Sequence, residues 1–333
     1  MSGRTVLALL DRTAVEAGGL SPTARELLEV ARGLAGGLDG PLELAWTGEL
    51  PEAVRLALGG LGVVRVRHLA EEPSSSAELA SALEAHVRAE RPAVLLATTS
   101  FASRELAGRL GVRLGAGVLV DALHLELDRG RVVAERSSFA ASWGSRCEVL
   151  AEPAIVTVKP HATVGGAPAP ASVVGPEGPE IVPLAPGEPD ARVRVVERTR
   201  RETSGRPDLA TAATVVAGGR GFEGDFSLLE ELADELGAAV GATRVAVDEG
   251  WVGHELQVGQ TGVTINPVLY IGAGISGAIH HVGGMRAART VVAINTEPDA
   301  PLMEIADYAI VGDLFEVLPR LTARLRELRG SRT

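Results

Sequence analysis

The residues best suited to chemistry lie in the C-terminal third, where three glycine-rich turns follow strand-like segments. The turns occupy Gly218 to Gly221, Gly259 to Gly262 and Gly272 to Gly277. In a parallel α/β sheet, the carboxyl ends of the strands share one edge, and ligands bind there. Arg220, in the first turn, offers two parallel donors of the kind that phosphate oxygens accept. The pattern predicts a nucleotide or another anion at this edge.

The third turn resembles the start of a dinucleotide site. Val268 to Ile271 is typical of a short buried strand, and Ser276 stands where an N-cap would precede a helix. Unpaired N–H groups and the helix dipole would then face an anion together. The glycines also satisfy GxGxxG, through Gly272, Gly274 and Gly277, with Glu297 about where a ribose-binding acid would lie. An NAD-dependent enzyme is therefore an alternative.

The adjacent pair His280 and His281 does not predict a metal site. Neighbouring residues of a helix point about 100° apart, so the two rings cannot share one ion. The sequence also contains no serine, histidine and aspartate set, no paired carboxylates and no cysteine and histidine arrangement typical of hydrolytic catalysis. We expect neither metal ligands nor catalytic residues.

Composition limits the class of protein. A chain of 333 residues favours two domains, and 46% apolar with only 3% aromatic residues favours parallel α/β layers. The net charge of −11, without a basic stripe, argues against nucleic acid as a partner. The single Cys147 fits a reducing compartment, and the apolar run Val6 to Leu10 is too short for a signal peptide or a membrane span. We expect a cytoplasmic protein that is not embedded in a membrane.

The elements that would position these residues form two domains. Between residues 5 and 121, five apolar runs alternate with helices that begin at serine caps, which predicts a doubly wound, mostly parallel sheet. Alternation on either side of Arg129-Gly130 predicts a hairpin and an antiparallel edge, with further strands in CEVLAEPAIVTV. The proline-rich stretch 160–190 predicts a loop, and ARVRVVER (191–198) a strand. The boundary is placed near residue 200, giving domains 1–199 and 200–333.

The second domain repeats the alternation of strand and helix. TVVAGGRG predicts a strand and a glycine turn, FSLLEELADELGAAV an amphipathic helix, and TRVAVDEG a further strand. The arginine-rich tail RLTARLRELRGSRT predicts a solvated terminal helix. The pattern indicates a Rossmann-like domain.

Several motifs in sequence order resemble the alpha subunit of electron transfer flavoprotein. They are VAGGRG (216–221), GATRVAVDEGW (241–251), VGQTG (258–262), LYIGAGISGAIHH (269–281) and VVAINTEPDAPLMEIADYAIVGDLFEVLP (291–319). A looser similarity in TTSFASRELAGRLGVRLGAGVLVD extends the resemblance to the first domain. Several separate motifs in the right order are more specific than one GxGxxG.

The resemblance implies FAD held by the second domain, in an electron carrier rather than an enzyme. It implies a beta subunit that carries AMP or a second flavin, flavin dehydrogenases (such as acyl-CoA dehydrogenases of fatty acid beta-oxidation) as donors, and a membrane quinone oxidoreductase or another protein as acceptor. By the same resemblance, the cofactor-binding residues are Arg220, Thr243, Arg244, Val258, Gly259, Gln260, Thr261, Ser276, Gly277, Ala278, Ile279, His280, His281, Asn295, Asp313 and Leu314. A non-redox adenine-nucleotide-binding regulatory subunit is a further alternative.

The resemblance also assigns parts of the cofactor to these residues. Arg220 and the turn from Ser276 to Ile279 would lie along the pyrophosphate, and Asn295 with Asp313 and Leu314 toward the adenosine. Val258 to Thr261 would pass the isoalloxazine ring, with the Thr261 hydroxyl toward N5, Arg244 over the ring and His281 toward N1 and O2. Reduction places negative charge near N1 and O2, so a fixed cation or donor there would stabilise the reduced ring.

This sequence departs from the family pattern at three positions. Thr243 replaces a frequent serine and keeps the hydroxyl, His280 replaces a glutamine, and Val263 replaces a lysine. We expect these changes to affect redox potential and partner choice more than FAD binding.

Overall fold

A computed structural model of the chain describes residues 4–16, 18–139, 142–165, 178–197, 199 and 205–330. The chain divides into two compact units, one of residues 1–136 and 144–199 and one of residues 137–143 and 200–333. Each unit is built around its own β-sheet.

The first unit contains a nine-stranded sheet and a two-stranded ribbon. Its strands are β1 (Val6–Asp11), β2 (Val15–Glu16), β3 (Gly19–Leu20), β4 (Leu42–Thr47), β5 (Val63–Leu69), β6 (Val94–Thr98), β7 (Gly117–Asp128), β8 (Arg131–Ser138), β9 (Trp143–Glu148), β10 (Ala154–Val164) and β11 (Glu180–Pro183). The large sheet has the order β11-β5-β4-β1-β6-β10-β7-β8-β9. All pairings from β11 to β7 are parallel, and β7 pairs with β8 antiparallel. The predicted parallel sheet with an antiparallel edge is confirmed.

Four helices connect the parallel strands of this sheet: α1 (Pro22–Gly37), α2 (Glu52–Gly60), α3 (Ser76–Glu90) and α4 (Phe101–Leu114). Three of them begin at a serine whose hydroxyl accepts a backbone N–H of the first turn, namely Ser21, Ser75 and Ser100. Each such bond satisfies one of the donors that a helix start leaves unpaired. The helix starts predicted at Ser21 and at the Ser74 to Ser76 run are confirmed.

Strand β10 occupies a central position that the sequence did not specify. It lies between β6 and β7, parallel to both, and its residues from Ala154 to Val158 are all buried. A continuous apolar run of this kind suits a strand covered on both faces, and such a strand belongs inside a sheet.

The strand predicted at 191–198 is wrong for the residues that the structure describes. Residues 191–197 form no strand and are exposed, with Val196 85% accessible. Alternating valine and arginine suits a half-buried strand, but a strand also needs a hydrogen-bonding neighbour. At one edge of the sheet β5 pairs with β11, whereas residues 191–197 have no such partner. The loop predicted at 160–190 is wrong at Glu180–Pro183, which forms β11, and at 160–164, which belongs to β10. Residues 166–177 of that loop lie outside the described residues.

The second unit contains a five-stranded parallel sheet of order β13-β12-β14-β15-β16. Its strands are β12 (Thr214–Gly218), β13 (Ala239–Ala242), β14 (Leu269–Ala273), β15 (Thr290–Asn295) and β16 (Tyr308–Val311). Its helices are α5 (Ser227–Leu236), α6 (Arg244–Asp248), α7 (Ile279–Met285), α8 (Pro301–Glu304) and α9 (Leu314–Gly330). Along β12, Val215 and Ala217 join the core on one face of the sheet and Val216 joins the core on the other. The predicted Rossmann-like domain is confirmed.

The strand predicted in TRVAVDEG is wrong, because this segment forms helix α6. The strand lies just before it, at Ala239–Ala242, where small residues pair with β12. The backbone bonds in this segment are those of a helix: the N–H of Val247 donates to the carbonyl of Thr243 at 3.3 Å, and the N–H of Glu249 donates to the carbonyl of Val245 at 3.0 Å.

Candidate nucleotide site

The glycine turns meet at the carboxyl edge of the second sheet. The N–H of Gly219 donates to the carbonyl of Ala273 at 3.1 Å, and the N–H of Gly221 donates to the carbonyl of Gly274 at 3.2 Å. The turn that contains Gly259 lies against α7, because the N–H of Gln260 donates to the carbonyl of His280 at 2.9 Å. The meeting predicted for these turns is confirmed.

Two of these turns approach too closely for any side chain between them. A Cβ atom on Gly219 would lie 2.3 Å from the carbonyl oxygen of Gly274, a distance that no real contact allows. Gly274 itself has φ of +62°, in the left-handed region that favours glycine. Both glycines are therefore required for the shape of the edge.

The segment before α7 presents backbone donors without internal acceptors. Ser276 is not the N-cap that the sequence predicts, since α7 begins at Ile279 with Ala278 as its cap and with no capping side chain. Within residues 205–330, the N–H groups of residues 276–280 donate to no acceptor. The carbonyl of Ser276 is used, and it accepts from the N–H of Leu302 at 3.1 Å. This bond fixes the turn while its donors stay available to a ligand.

Arg220 lies beside these donors. It occupies the short 3₁₀ turn after β12, and the next residue is bonded to Gly274. Its side chain is exposed and forms no ion pair with any residue that the structure describes. The turn of Arg220 is thus bonded to Gly274, two residues before the run of N–H donors, and an exposed guanidinium together with such donors suits an anion such as a pyrophosphate.

The loop after α6 forms a second wall of the site. Val258 is buried, and its N–H donates to the carbonyl of Ala242 at 2.9 Å, which attaches the loop to the end of β13. The side-chain amide of Gln257 donates to the Thr261 hydroxyl at 3.0 Å. Because that hydroxyl oxygen accepts from Gln257, its own hydrogen can be donated to a ligand. Thr261 itself is exposed at the edge.

Arg244 and Thr243 begin helix α6 at the same edge. The N–H of Thr243 donates to the carbonyl of Gly218 at 3.0 Å, which ties it to the end of β12. Its hydroxyl oxygen is buried without a hydrogen-bond partner among the described residues. The Arg244 side chain is 66% exposed, and its Nε lies 3.2 Å from a carboxylate oxygen of Asp248 one turn later.

The two neighbouring histidines occupy different environments. His280 is exposed, with Nδ1 3.0 Å from the side-chain oxygen of Gln260. His281 is 5% exposed, with Nε2 2.7 Å from the Tyr270 hydroxyl. Burial lowers the pKa of His281 to about 4, and the Val258 carbonyl opposes this shift without forming a well-shaped hydrogen bond. His281 is therefore neutral at pH 7, which leaves it the role of a donor rather than a cation.

The residues assigned to the adenosine end are held by contacts of their own. The Asn295 amide donates to the carbonyl of Ile275 at 3.0 Å, and its oxygen accepts from the N–H of Glu297 at 3.1 Å. Asp313 accepts from the N–H of Phe315 at 2.8 Å, at the start of α9. Leu314 is buried and lies beside Gly221 and Gly274 in the turn contact. All three lie at the carboxyl edge, where their visible contacts shape the turns.

The positions of Gly272 and Gly277 do not fit the NAD alternative. Gly272 lies inside β14, where a Cβ atom would collide with Leu302 and Tyr270, and a Cβ atom on Gly277 would lie 2.4 Å from the backbone nitrogen of Leu302. The glycines thus make room for packing against α8 and the Tyr270 ring rather than for the helix that follows the strand. Glu297 uses its N–H to close a turn with Asn295.

Neither metal ligands nor a membrane helix is found in the described part of the chain. No group of three or more histidine, cysteine, aspartate or glutamate side chains is placed to hold an ion there. No helix in the same residues is both long and apolar enough to cross a bilayer.

Two residues of this region were not singled out from the sequence, Tyr270 and Gln257. Each forms a hydrogen bond with a predicted site residue: Tyr270 with His281, and Gln257 with Thr261. The available indication was weak: a tyrosine within an apolar strand, and a glutamine before a glycine turn. Side-chain contacts of this kind depend on packing between elements, which a sequence pattern does not give.

Two family models match the chain. Residues 12–177 match the electron transfer flavoprotein domain, and residues 208–286 match the electron transfer flavoprotein FAD-binding domain. The second match contains the glycine turns and the whole of helices α6 and α7. The donors described above fit such a cofactor, because an unpaired arginine and free N–H groups suit its pyrophosphate.

Individual proteins are similar over most of the chain or over a shorter part of it. Electron transfer flavoprotein subunit alpha of Syntrophomonas wolfei is 39% identical over 239 residues, which covers 71% of this chain and 74% of that one. The subunit alpha of Mycobacterium tuberculosis strain CDC 1551 is 41% identical over 241 residues, covering 72% and 73%. The mitochondrial subunit alpha of Oryza sativa subsp. indica is 57% identical over 122 residues, covering 36% and 34%.

Proposed function

The chain belongs to the electron transfer flavoprotein alpha-subunit family, and we propose that it carries electrons on an FAD held at the carboxyl edge of its second sheet. The observation that carries this proposal is that, among the described residues, Arg220 forms no ion pair and the N–H groups of residues 276–280 have no acceptor, all within the segment that matches the FAD-binding domain. We assign this role to a domain of residues 200–333, with residues 1–199 as a separate domain.

At the pyrophosphate, Arg220 and the turn from Ser276 to His280 would supply donors. The turn is fixed by the bond from Leu302 to Ser276, so its N–H groups are oriented before the ligand arrives. Donors that are already oriented lose little conformational entropy when the ligand binds, and they favour an anion held in one position. These groups would determine affinity more than redox chemistry, because the pyrophosphate charge does not change on reduction.

At the ring, Val258 to Thr261, Thr243, Arg244 and His281 would surround the flavin. Bound FAD supplies reversible electron uptake, with negative charge developing on the ring. Thr261 presents a hydroxyl whose oxygen already accepts from Gln257, so it can donate. Arg244 contributes a permanent positive charge and His281 a buried neutral donor. Such groups stabilise the reduced ring more than the oxidised one.

At the adenosine, Asn295, Asp313 and Leu314 would line the site through the shape of their turns. The Asn295 amide is already engaged on both sides, so we assign it the role of holding the loop after β15 in place. Backbone groups near Asp313 would then make the direct contacts.

A partner subunit is implied by membership of an alpha-subunit family, and we infer that it is a beta subunit carrying AMP or a second flavin. Thr261, assigned to the ring, and Ile279 and His280, assigned to the pyrophosphate turn, are exposed, Ile279 by 72%, so a second protein has a surface to cover. We further propose flavin dehydrogenases, such as those of fatty acid beta-oxidation, as donors and a quinone oxidoreductase or another protein as acceptor. We also propose that the protein is cytoplasmic and that it converts no substrate of its own.

The visible spectrum of the purified chain, co-expressed with its candidate partner, tests this function. We expect the yellow spectrum of a bound flavin, and FAD as the nucleotide released on denaturation. A colourless protein that binds NADH would support the NAD-dependent alternative. A colourless protein that binds only adenine nucleotides would support the regulatory subunit, and either result would reject the proposal.

A further inference from the structure

We propose that Tyr270 is a positioning residue that holds His281 in its neutral form with the proton on Nδ1, so that this N–H is donated to a carbonyl oxygen of the flavin ring. The proposal rests on the function proposed above and adds to it the identity of the atom that carries the proton. The family match gives neither the hydrogen bond between Tyr270 and His281 nor the ring nitrogen of His281 that carries the proton.

The two side chains form a closed pair between a strand and a helix. Tyr270 lies on β14 and is fully buried, and His281 lies on α7 and is 5% exposed. Their hydroxyl and Nε2 atoms are 2.7 Å apart, a short distance for such a bond. Gly272 provides the space, because a Cβ atom there would lie 2.9 Å from the tyrosine ring.

The number of available protons determines which of the two side chains donates in the Tyr270–His281 hydrogen bond. The Tyr270 hydroxyl has one hydrogen, and His281 Nε2 is its only hydrogen-bond partner among the described residues. Burial raises the pKa of Tyr270 further above its usual range, so the phenol keeps its proton. If Nε2 carried a proton as well, the phenol hydrogen would have no acceptor. The phenol therefore donates to Nε2, and the imidazole proton belongs on Nδ1.

The other face of the imidazole has no partner in the described protein. His281 Nδ1 is buried and forms no hydrogen bond there. A buried donor without an acceptor is costly, and in native proteins such a group usually meets a ligand or a water. Val258, whose carbonyl acts on the same imidazole ring, is the first residue of the loop assigned to the flavin. The free N–H therefore belongs to the cofactor site.

The tautomer of His281 decides whether its contact with the flavin favours or opposes reduction of the ring. An N–H directed at a carbonyl oxygen becomes more favourable as reduction adds negative charge to that oxygen. The opposite tautomer would present a lone pair to the same oxygen and oppose reduction. Because the imidazole is neutral, the effect needs no proton uptake, and Tyr270 acts only through His281.

Nitrogen NMR of ¹⁵N-histidine-labelled protein tests the tautomer in the full complex with its partner subunit. The two ring nitrogens of a neutral histidine have well-separated shifts, and the His281 signals are assigned by their loss in His281→Gln. We expect Nδ1 to be protonated at pH 7 in the native protein and in Tyr308→Phe, which removes the chain's other, 65% exposed tyrosine hydroxyl. Tyr270→Phe should shift the population toward Nε2–H.

The one-electron reduction potential of the bound FAD gives a second measurement on the same samples. We expect Tyr270→Phe to retain FAD and to lower the equilibrium constant for one-electron reduction about tenfold, which corresponds to about 59 mV. Tyr308→Phe should leave the potential unchanged. The proposal is overturned if native His281 carries its proton on Nε2 or is doubly protonated, or if Tyr270→Phe changes neither tautomer nor potential.

Should Tyr270→Phe fail to fold, fluorotyrosine replaces it. In the Tyr308→Phe background Tyr270 is the only tyrosine of this chain, so fluorotyrosine makes its phenol a stronger donor without changing the packing. The His281 Nε2 signal should then move further in the direction of a hydrogen-bonded acceptor, and an unchanged signal contradicts the proposal. Protein without flavin would reject the proposed function instead, and the NMR shifts would still report on the pair.

Discussion

At the scale of single residues, two arginines at the same edge have different surroundings and should have different roles. Arg220 has no ion pair among the described residues and lies next to free backbone donors, whereas Arg244 lies at the start of α6 beside Asp248. Arg220 was predicted from phosphate chemistry alone, while Arg244 required the family resemblance. No local sequence pattern identifies an arginine as a ligand of a flavin ring. The proposed role of Arg244 depends on its position as the first residue of α6, and the sequence pattern did not predict that helix.

Replacing Arg244 by alanine should lower the one-electron potential of FAD while leaving FAD bound. The lost charge favours the reduced ring, and a charge-assisted contact contributes about 1.5–3 kcal/mol, or about 60–130 mV at about 59 mV per tenfold. We expect the lower end, because an exposed charge is screened by water. Arg320→Ala is the matched control, since Arg320 is also exposed and paired across one helical turn. An unchanged potential in Arg244→Ala would exclude the ring-facing role.

Replacing Arg220 by alanine should have the opposite pattern. FAD affinity should fall about 10- to 100-fold, the equivalent of the 1.5–3 kcal/mol of one charge-assisted contact, and the potential of the remaining bound flavin should stay within error. Equilibrium titration with FAD, followed by flavin fluorescence, measures the affinity. A potential shift without loss of affinity would place Arg220 at the ring and refute the assignment to the pyrophosphate.

His281 should make folding stability depend on pH. Its pKa is about 4 in the folded chain against 6.5 when exposed, so between these values the unfolded chain binds a proton that the folded chain does not. Stability should therefore fall as the pH drops from 6.5 to 4, by up to about 3 kcal/mol. Denaturant unfolding of the flavin-free chain should show a flatter profile in His281→Gln over this window. Parallel profiles for the two proteins would mean that His281 is not buried in its neutral form.

At the scale of elements, the sequence predicted where strands and glycine turns lie better than where one element changes into the next. Strand β14 and the turns at Gly219 and Gly274 were predicted, because glycine is rarely tolerated without a steric reason. The segment TRVAVDEG formed a helix instead, since the pairing of Ala239–Ala242 with β12 places the strand earlier. Ser276 was taken as a cap because it precedes the helix, but the helix starts at Ile279.

The contact between the two turns yields a prediction about stability. Gly219→Ala should destabilise the second unit by at least about 1–3 kcal/mol, the usual cost of overpacking, because its Cβ atom would lie 2.3 Å from the Gly274 carbonyl oxygen. It should also weaken FAD binding, since Arg220 follows directly. Gly108→Ala is a suitable control, because a Cβ atom there meets nothing within 4 Å. Equal unfolding midpoints for the two variants would show that the turns are not packed as described.

At the scale of the whole molecule, the proposed cofactor contacts all lie in one part of the chain. The residues from Arg220 to Leu314 belong to the second unit, whose sheet is covered by its own hydrophobic core on both faces. The family resemblance implied FAD in the second domain. The backbone donors at the carboxyl edge of the second sheet, which have no acceptor among the described residues, support that proposal.

Flavin binding by the separated domains tests this central claim most directly. Residues 200–333 and residues 1–199 are expressed separately, and each is titrated with FAD while flavin fluorescence is followed. We predict saturable binding of one FAD by residues 200–333, weakened in the same fragment carrying Arg220→Ala, and none by residues 1–199. Binding by residues 1–199, or a folded 200–333 fragment without affinity for FAD, would contradict the account.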